Sequence, residues 1–171
     1  MSERKAPPSR ADFRHFAGLQ TRWQDNDLYG HVNNVVYYSY FDTVVNRFLI
    51  DQGGLRIHTA EVIGVVVDSQ CSYFSAIAYP EMIEAGLAVS KLGSSSVVYR
   101  VGIFRQGEPA AVAAGRFVHV FVGRGDRQPV PIPANIRAAL ATIEAPFPEY
   151  PVGCGEHESH QSHGIKAPPR C

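Results

Sequence analysis

Between Asn33-Asn34 and Gly53-Gly54, apolar residues recur every four positions along the chain. The recurring pairs are Val36/Tyr37, Tyr40/Phe41, Val44/Val45 and Phe48/Leu49. This spacing is typical of one face of a helix and not of a strand, in which apolar and polar residues alternate. Asparagine favours helix starts, and glycine favours the left-handed conformation that ends a helix. The pattern predicts one helix of about 18 residues, about 27 Å long.

Four later segments are rich in valine, isoleucine, tyrosine and phenylalanine, with short turn signals between them. They are Glu61–Tyr79, Met82–Leu92, Ser96–Arg105 and Ala111–Gly123, and a short extended run at Phe16–Asp25 precedes the helix. These runs predict five strands. Such short connections usually join antiparallel neighbours, so we expect the last four strands to form a meander. With a second short helix predicted at Ala134–Ala145, the fold class is α+β.

The two ends of the chain differ in composition from this body. We expect residues 1–14 to be a flexible leader and residues 146–171 to be a tail that is low in complexity and disordered. Residues 15–145 are then one domain, because 171 residues with 45% hydrophobic content suffice for one core. The last strand is apolar on both faces and one helix covers only one face, so a second copy of the chain is expected on the other face or at the sheet edge.

Charge and composition exclude several classes of protein. The 16 basic residues balance the 16 acidic ones, and no basic face is evident, so nucleic acid is not an expected partner. No apolar run approaches the roughly 18 to 20 residues of a membrane-spanning helix, and no secretory signal is evident. Three cysteines without paired spacing suit a reducing compartment. The default expectation is a cytoplasmic protein without a membrane partner.

The densest polar cluster lies at the start of the long helix. Residues 22–34 read Arg-Trp-Gln-Asp-Asn-Asp-Leu-Tyr-Gly-His-Val-Asn-Asn. An aspartate just before a helix lies near the positive end of the helix dipole, and the unpaired N–H groups of the first turn can face a carbonyl oxygen. We therefore expect the chemistry of the protein at this junction.

The junction resembles that of the hotdog-fold acyl-CoA thioesterases of the 4-hydroxybenzoyl-CoA thioesterase family, over about residues 16–143. The resemblance rests on the motif Arg22-Trp23-x-Asp25-x-Asp27-x-x-Gly30-His31-Val32-Asn33-Asn34-x-x-Tyr37-x-x-Tyr40-Phe41 and on the turns Tyr79-Pro80-Glu81 and Gly93-x-Ser95-Ser96. It implies a long central helix wrapped by a five-stranded antiparallel sheet. It also implies hydrolysis of an acyl-CoA without metal or cofactor, by a homodimer or homotetramer.

The resemblance also implies roles for individual residues. Asp27 matches the base or nucleophile and the N–H of Asn34 matches the donor to the thioester carbonyl, although a helix-capping role alone would also explain Asp27. His31 is a third catalytic candidate, to orient water or substrate, and a hydrogen bond to a neighbouring strand explains it equally well. Asp25 is expected to be structural, in an ion pair with a residue such as Arg22.

The remaining candidates are substrate contacts with a structural alternative in each case. They are Gly30, Asn33, Tyr37, Ser94, Ser95 and Ser96. Gly30 suits a tight turn, Asn33 suits the N-cap of the helix, and Tyr37 suits the core or a pocket wall. By the resemblance, the three serines are expected to contact the pantetheine or phosphate of coenzyme A. Arg124 and Arg127 are candidates to contact its nucleotide phosphates. A solvated surface explains these positions as well.

Two further interpretations come from the tail and from the fold itself. The spacing Cys154-x-x-His157-x-x-His160-x-x-His163 contains ligand types for zinc or nickel, but it matches no compact zinc module, and a biased segment explains it better. The alternative function is a non-catalytic acyl-CoA or acyl-carrier-protein binding module on the same fold. The presence of Asp27 favours the enzyme, because a binding module needs no carboxylate beside the thioester.

Overall fold

The computed structural model describes residues 6–147 of the chain. All five strands form one antiparallel sheet in the order β1-β3-β4-β5-β2, and the long helix α1 packs on one face of it. The elements are β1 (His15–Gln20), α1 (Val36–Asp51), β2 (Val62–Tyr73), β3 (Met82–Leu92), β4 (Ser96–Arg105), β5 (Ala113–Gly123) and α2 (Ala134–Ala141). The predicted α+β hotdog arrangement is confirmed. Neither α-helix in this part of the chain is long and apolar enough to span a membrane.

The predicted four-strand meander is wrong in the position of β2. Strands β3, β4 and β5 are neighbours in chain order, but β2 pairs with β5 at the far edge, where Val65 lies opposite Val120. The sequence pattern predicted that β2 continues to Tyr79. In the structure β2 ends at Tyr73, and residues 74–81 form the connector to β3. Eight residues can span about 27 Å, and three strand spacings need only about 14 Å. The connector can therefore cross the end of the sheet to β3.

Helix α1 is stabilised by its apolar stripe, as predicted. The stripe is wholly buried and consists of Tyr37, Tyr40, Phe41, Val44, Val45, Phe48 and Leu49. The helix approaches the sheet closely at Gly115 of β5, where a Cβ atom would overlap the ring of Phe41. At its C-terminal end Gly54 has a φ of 66°, and the Leu55 N–H donates to the carbonyl of Leu49. The two glycines thus end the helix as expected.

The start of α1 differs from the prediction. The helix begins at Val36, and its N-cap position is Val35, so Asn33 is not the N-cap residue. Asn33 instead begins the turn before the helix: its Oδ1 accepts the N–H of Val35 at 3.2 Å, and its carbonyl accepts the N–H of Val36 at 2.9 Å. Asn33 therefore caps the turn that lies just before the helix and not the helix itself.

The expectation of a flexible leader through residue 14 is wrong for residues 8–14. The carbonyl of Pro8 accepts the N–H of Ala111 at 2.9 Å, and the N–H of Arg10 donates to the carbonyl of Pro109 at 3.2 Å. Phe13 is only 5% exposed. Two backbone hydrogen bonds to residues 109–111 and a buried aromatic ring attach this segment to the rest of the domain. The ring of Phe13 lies on the face of the sheet opposite α1, in a cluster separate from the core around that helix.

Phe13 occupies a space that two glycines leave open. Gly86 of β3 and Gly102 of β4 lie opposite each other, and a Cβ on Gly86 would approach Phe13 Cγ to 2.8 Å. Phe104 and Phe147 complete the cluster, each with its ring centroid 5.6 Å from that of Phe13. The chain itself covers this part of the outer face. A second copy of the chain, expected on this face or at the sheet edge, is not needed to cover this part.

The glycine pair generates a prediction for stability. Gly86→Ala should lower the free energy of unfolding by about 1–3 kcal/mol, since the new methyl group displaces a well-packed ring. Gly18→Ala in β1 is the matched control, because a Cβ at that position meets nothing within 4 Å. Urea unfolding of both variants measures the difference. Equal stability of the two variants would show that Phe13 is not held on the glycine pair.

Candidate functional site

The buried carboxylate of Asp25 organises the junction between β1 and α1. This residue is 1% exposed. Its Oδ1 accepts from Arg22 Nε at 2.9 Å, and its Oδ2 accepts from the Arg22 N–H at 2.8 Å and the Tyr40 hydroxyl at 2.7 Å. Burial alone raises the pKa of this carboxyl, but these hydrogen bonds outweigh burial and hold its pKa below the ordinary value. The predicted structural pairing of Asp25 with Arg22 is confirmed.

Asp27 begins a tight loop that closes at His31. The Asp27 N–H donates to the His31 carbonyl at 2.8 Å, and Asp27 Oδ1 accepts the N–H of Tyr29 at 2.8 Å. Gly30 has a φ of 82°, the left-handed conformation that such a turn requires. Within residues 6–147, Asp27 Oδ2 accepts no hydrogen bond. One oxygen of this carboxylate is therefore fixed by its own loop, and the other is available to a bound molecule.

The connector between β2 and β3 holds the Asp27 loop from the other side. The Val32 N–H donates to the Ile77 carbonyl at 2.8 Å, and the Tyr79 N–H donates to Asn26 Oδ1 at 3.0 Å. Both contacts join segments that are far apart in the sequence. The position of the loop thus depends on the crossing path of the connector.

Glu81 in turn fixes the connector. Its Oε1 accepts the Ala78 N–H at 2.8 Å, and its Oε2 accepts from Arg105 Nε at 2.7 Å. Its carbonyl accepts the Thr21 hydroxyl at 2.7 Å. Sequence reasoning identified this residue only as part of a turn, although its charge and its place beside a proline were visible.

Asn34 presents an unpaired N–H at the start of α1. Asn33 accepts the N–H groups of Val35 and Val36, whereas the N–H of Asn34, which precedes them, has no acceptor in the described part of the chain. The carbonyl of Asn34 accepts the Tyr73 hydroxyl at 2.9 Å. The residue is thus held through its carbonyl and leaves a donor free.

A cleft of about 580 Å³ lies beside the Asp27 loop, and Asn34 follows one of its lining residues, Asn33. It is lined by Trp23, Asn26, Asp27, Leu28 and Asn33. Two of these side chains are apolar and lie largely in solvent: Trp23 is 82% exposed, and Leu28 is fully exposed. The cleft combines a carboxylate with apolar walls, which suits a ligand with a polar reacting group and an apolar part.

His31 and Tyr37 differ in how they relate to this cleft. The His31 side chain is exposed and makes no hydrogen bond within residues 6–147, so the alternative of a bond to a neighbouring strand is wrong. Tyr37 is 3% exposed and packs edge-on against Tyr40 and Tyr73. Burial raises the pKa of Tyr37 to about 12. Tyr37 is a core residue behind the junction.

The serine turn 94–96 lies at the opposite end of the sheet from Asp27. The Asp27 loop contacts the connector that precedes Met82, whereas the serines follow Leu92. The eleven residues of β3 separate them by about 33 Å. One chain therefore does not bring the serines and Asp27 into a single site.

The other candidate ligands give no additional site. Arg124 donates to the carbonyls of Ala60 and Ile57, both at 2.6 Å, so its guanidinium serves the backbone. No group of three or more histidine, cysteine, aspartate or glutamate side chains in residues 6–147 is arranged to hold a metal. The tail motif around Cys154 lies outside the described residues.

The chain belongs to the thioesterase-like superfamily, whose family model matches residues 21–140. The solved PA5185 protein from Pseudomonas aeruginosa strain PAO1 is 54% identical, with a TM-score of 0.81 over 81% of this chain and 97% of that protein. The PA2801 protein of the same species, named as a candidate thioesterase, is 29% identical, with a TM-score of 0.69 over 74% of this chain and 97% of that protein. The YsmA protein of Bacillus subtilis is 27% identical over 112 residues, 65% of this chain and 76% of that protein.

These similarities confirm the predicted hotdog-fold thioesterase relationship at the level of the superfamily. The narrower resemblance to the 4-hydroxybenzoyl-CoA thioesterases stays an interpretation of the junction motif. Membership of the superfamily supports a hydrolase of the thioesterase class.

The Asp25 cluster generates a pH-dependent prediction. The folded-state pKa of Asp25 is depressed, so its contribution to stability is present above the unfolded pKa and is lost as pH falls through the folded one. Tyr40→Phe removes one stabilising hydrogen bond, so we expect a loss of about 1–3 kcal/mol at neutral pH and acid unfolding that begins at a higher pH. Tyr38→Phe, which removes a hydroxyl without a hydrogen bond in the described chain, is the control. Denaturant unfolding between pH 3 and 7 tests this, and indistinguishable profiles would contradict it.

Proposed function

We propose that the protein hydrolyses acyl-CoA thioesters, with Asp27 as base or nucleophile and the Asn34 N–H as donor to the carbonyl oxygen. The main support is that Asp27, which lines the cleft, has a carboxylate oxygen without a partner in residues 6–147, and that Asn34, next to the lining residue Asn33, has a backbone N–H without an acceptor there. Superfamily membership supports the thioesterase class. The acyl group is apolar in this proposal, because Trp23 and Leu28 line the same cleft.

The chemistry of the proposal balances with water as the only co-reactant. The water oxygen bonds to the thioester carbon, the carbon–sulfur bond breaks, and the acid and the thiol of coenzyme A are released. As base, Asp27 Oδ2 takes a proton from the attacking water and then passes a proton to the departing thiolate of coenzyme A. As nucleophile, the same oxygen forms an anhydride with the acyl group, which water then hydrolyses. In either route the Asn34 N–H stabilises the negative charge that develops on the carbonyl oxygen.

We propose that the substrate lies between subunits of a homodimer or homotetramer. The serines at 94–96 follow the far end of β3, a strand about 33 Å long, so in this proposal they reach a coenzyme A at the Asp27 site from another copy. The edge strand β2 supports such assembly: Val66 and Val67 are 46% and 57% exposed, and a long apolar edge is normally covered. Light scattering in solution distinguishes the dimer from the tetramer.

Loss of the Asp27 carboxylate should abolish most of the activity. In an assay of free thiol against a panel of acyl-CoA thioesters, we expect Asp27→Asn to lower kcat by at least about 100-fold. Asp42→Asn, which changes an exposed aspartate on α1, should retain the native rate. The proposal is wrong if the native protein releases no thiol above background or if Asp27→Asn is as fast as the native protein. Binding of acyl-CoA without hydrolysis would indicate the binding-module alternative.

The role of Asn34 can be tested through its backbone. Asn34→Pro removes the N–H, and proline is favoured at the second position of a turn such as the one that Asn33 begins, whereas Asn34→Ala keeps the N–H and removes only the side chain. We expect Asn34→Pro to lower kcat by about 100-fold and Asn34→Ala to stay within a few-fold of the native enzyme. Circular dichroism confirms folding of both. If both variants hydrolyse at the same rate, the N–H is not the donor.

A further inference from the structure

The hydroxyl of Tyr73 connects the sheet to the residue that carries the free donor. It donates to the Asn34 carbonyl at 2.9 Å, across 39 positions of sequence. No other group from the sheet makes a polar contact with Asn34 in the described part of the chain. Tyr73 is the last residue of β2, the same edge strand that sequence reasoning extended too far.

The start of α1 needs such an anchor. Its N-cap residue, Val35, has no polar side chain and so makes no side-chain capping hydrogen bond of its own. Helix ends fray when their first N–H groups and flanking residues are not held. Asn33 accepts the N–H groups of Val35 and Val36, and the Tyr73 hydroxyl donates to the carbonyl of Asn34. The backbone on both sides of Asn34 is therefore held.

The Tyr73 side chain is itself held in place. Its ring packs edge-on against Tyr37, with centroids 5.1 Å apart and planes at 84°. Although the residue is 45% exposed, partial removal from water, together with the neighbouring Cys71 thiol, raises the pKa of Tyr73. The hydroxyl therefore stays protonated at neutral pH and above, where it continues to act as a donor.

We propose that Tyr73 is a positioning residue of the thioester site, whose hydroxyl fixes Asn34 so that the Asn34 N–H points at the thioester carbonyl. This inference rests on the proposed function of Asn34. Hydrogen bonds weaken steeply when the donor angle changes, and an oxyanion donor is effective only when it is held in advance. Tyr73 acts through Asn34 and does not touch the substrate.

The test is Tyr73→Phe, which keeps the ring and removes only the hydroxyl. Loss of one neutral hydrogen bond should lower kcat by about 3- to 10-fold, with KM for the acyl-CoA changed by less than about twofold because ground-state binding does not use the donor. Tyr38→Phe is the matched control, since its hydroxyl makes no hydrogen bond in the described chain, and it should leave both constants unchanged. Thermal unfolding checks that both variants are folded.

A double variant separates this inference from the proposed function. If Tyr73 acts through the Asn34 N–H, adding Tyr73→Phe to Asn34→Pro should cause no further loss of kcat. A full additional loss in the double variant, a change confined to KM, or a native rate for Tyr73→Phe would each overturn the positioning role. If Asn34→Pro is slow while Tyr73→Phe is not, only this inference fails. If neither variant changes the rate, the proposed role of Asn34 fails with it.

Discussion

The buried carboxylate of Asp25 is the constraint on which the rest of the junction depends. An ionised group that is removed from water costs several kcal/mol unless its oxygens are satisfied, and Arg22 and Tyr40 satisfy both oxygens of this one. The backbone carbonyl of Asp25 also accepts the N–H of Asn33. The chain can therefore follow only one path from β1 into α1. That path places Asp27, with one oxygen unused, at the rim of the cleft.

The local elements of the fold were predictable from the sequence, and its non-local pairings were not. The four-residue period of α1 reflects burial of one face, which any packed helix needs. The partner of β2 depends on which strand lies within reach of the connector, and no local pattern reveals this. Packing of Phe13 likewise requires two glycines that are distant in sequence. Gly86 and Gly102 were nevertheless a signal, because glycine inside a strand often marks the close approach of another group.

The same distinction applies to the candidate site. The order of residues around Asp25 and Asp27 was enough to assign a structural role to the first, which its hydrogen bonds confirm, and to nominate the second. The contacts of Tyr73 and Glu81 depend on the crossing of the connector and could not be found from spacing. The serine turn shows a further limit, since the resemblance implied contact with coenzyme A but did not show that β3 places the serines at the opposite end of the same chain from Asp27.

The central claim is that the thioester carbonyl binds between the Asp27 carboxylate and the Asn34 N–H. The most direct measurement is a crystal structure with an acyl-CoA analogue in which a methylene group replaces the sulfur. We expect the carbonyl oxygen about 2.7–3.2 Å from the Asn34 nitrogen and Asp27 Oδ2 facing the carbonyl carbon. A carbonyl bound away from the Asp27 loop, or held there with its oxygen turned from Asn34, would contradict it.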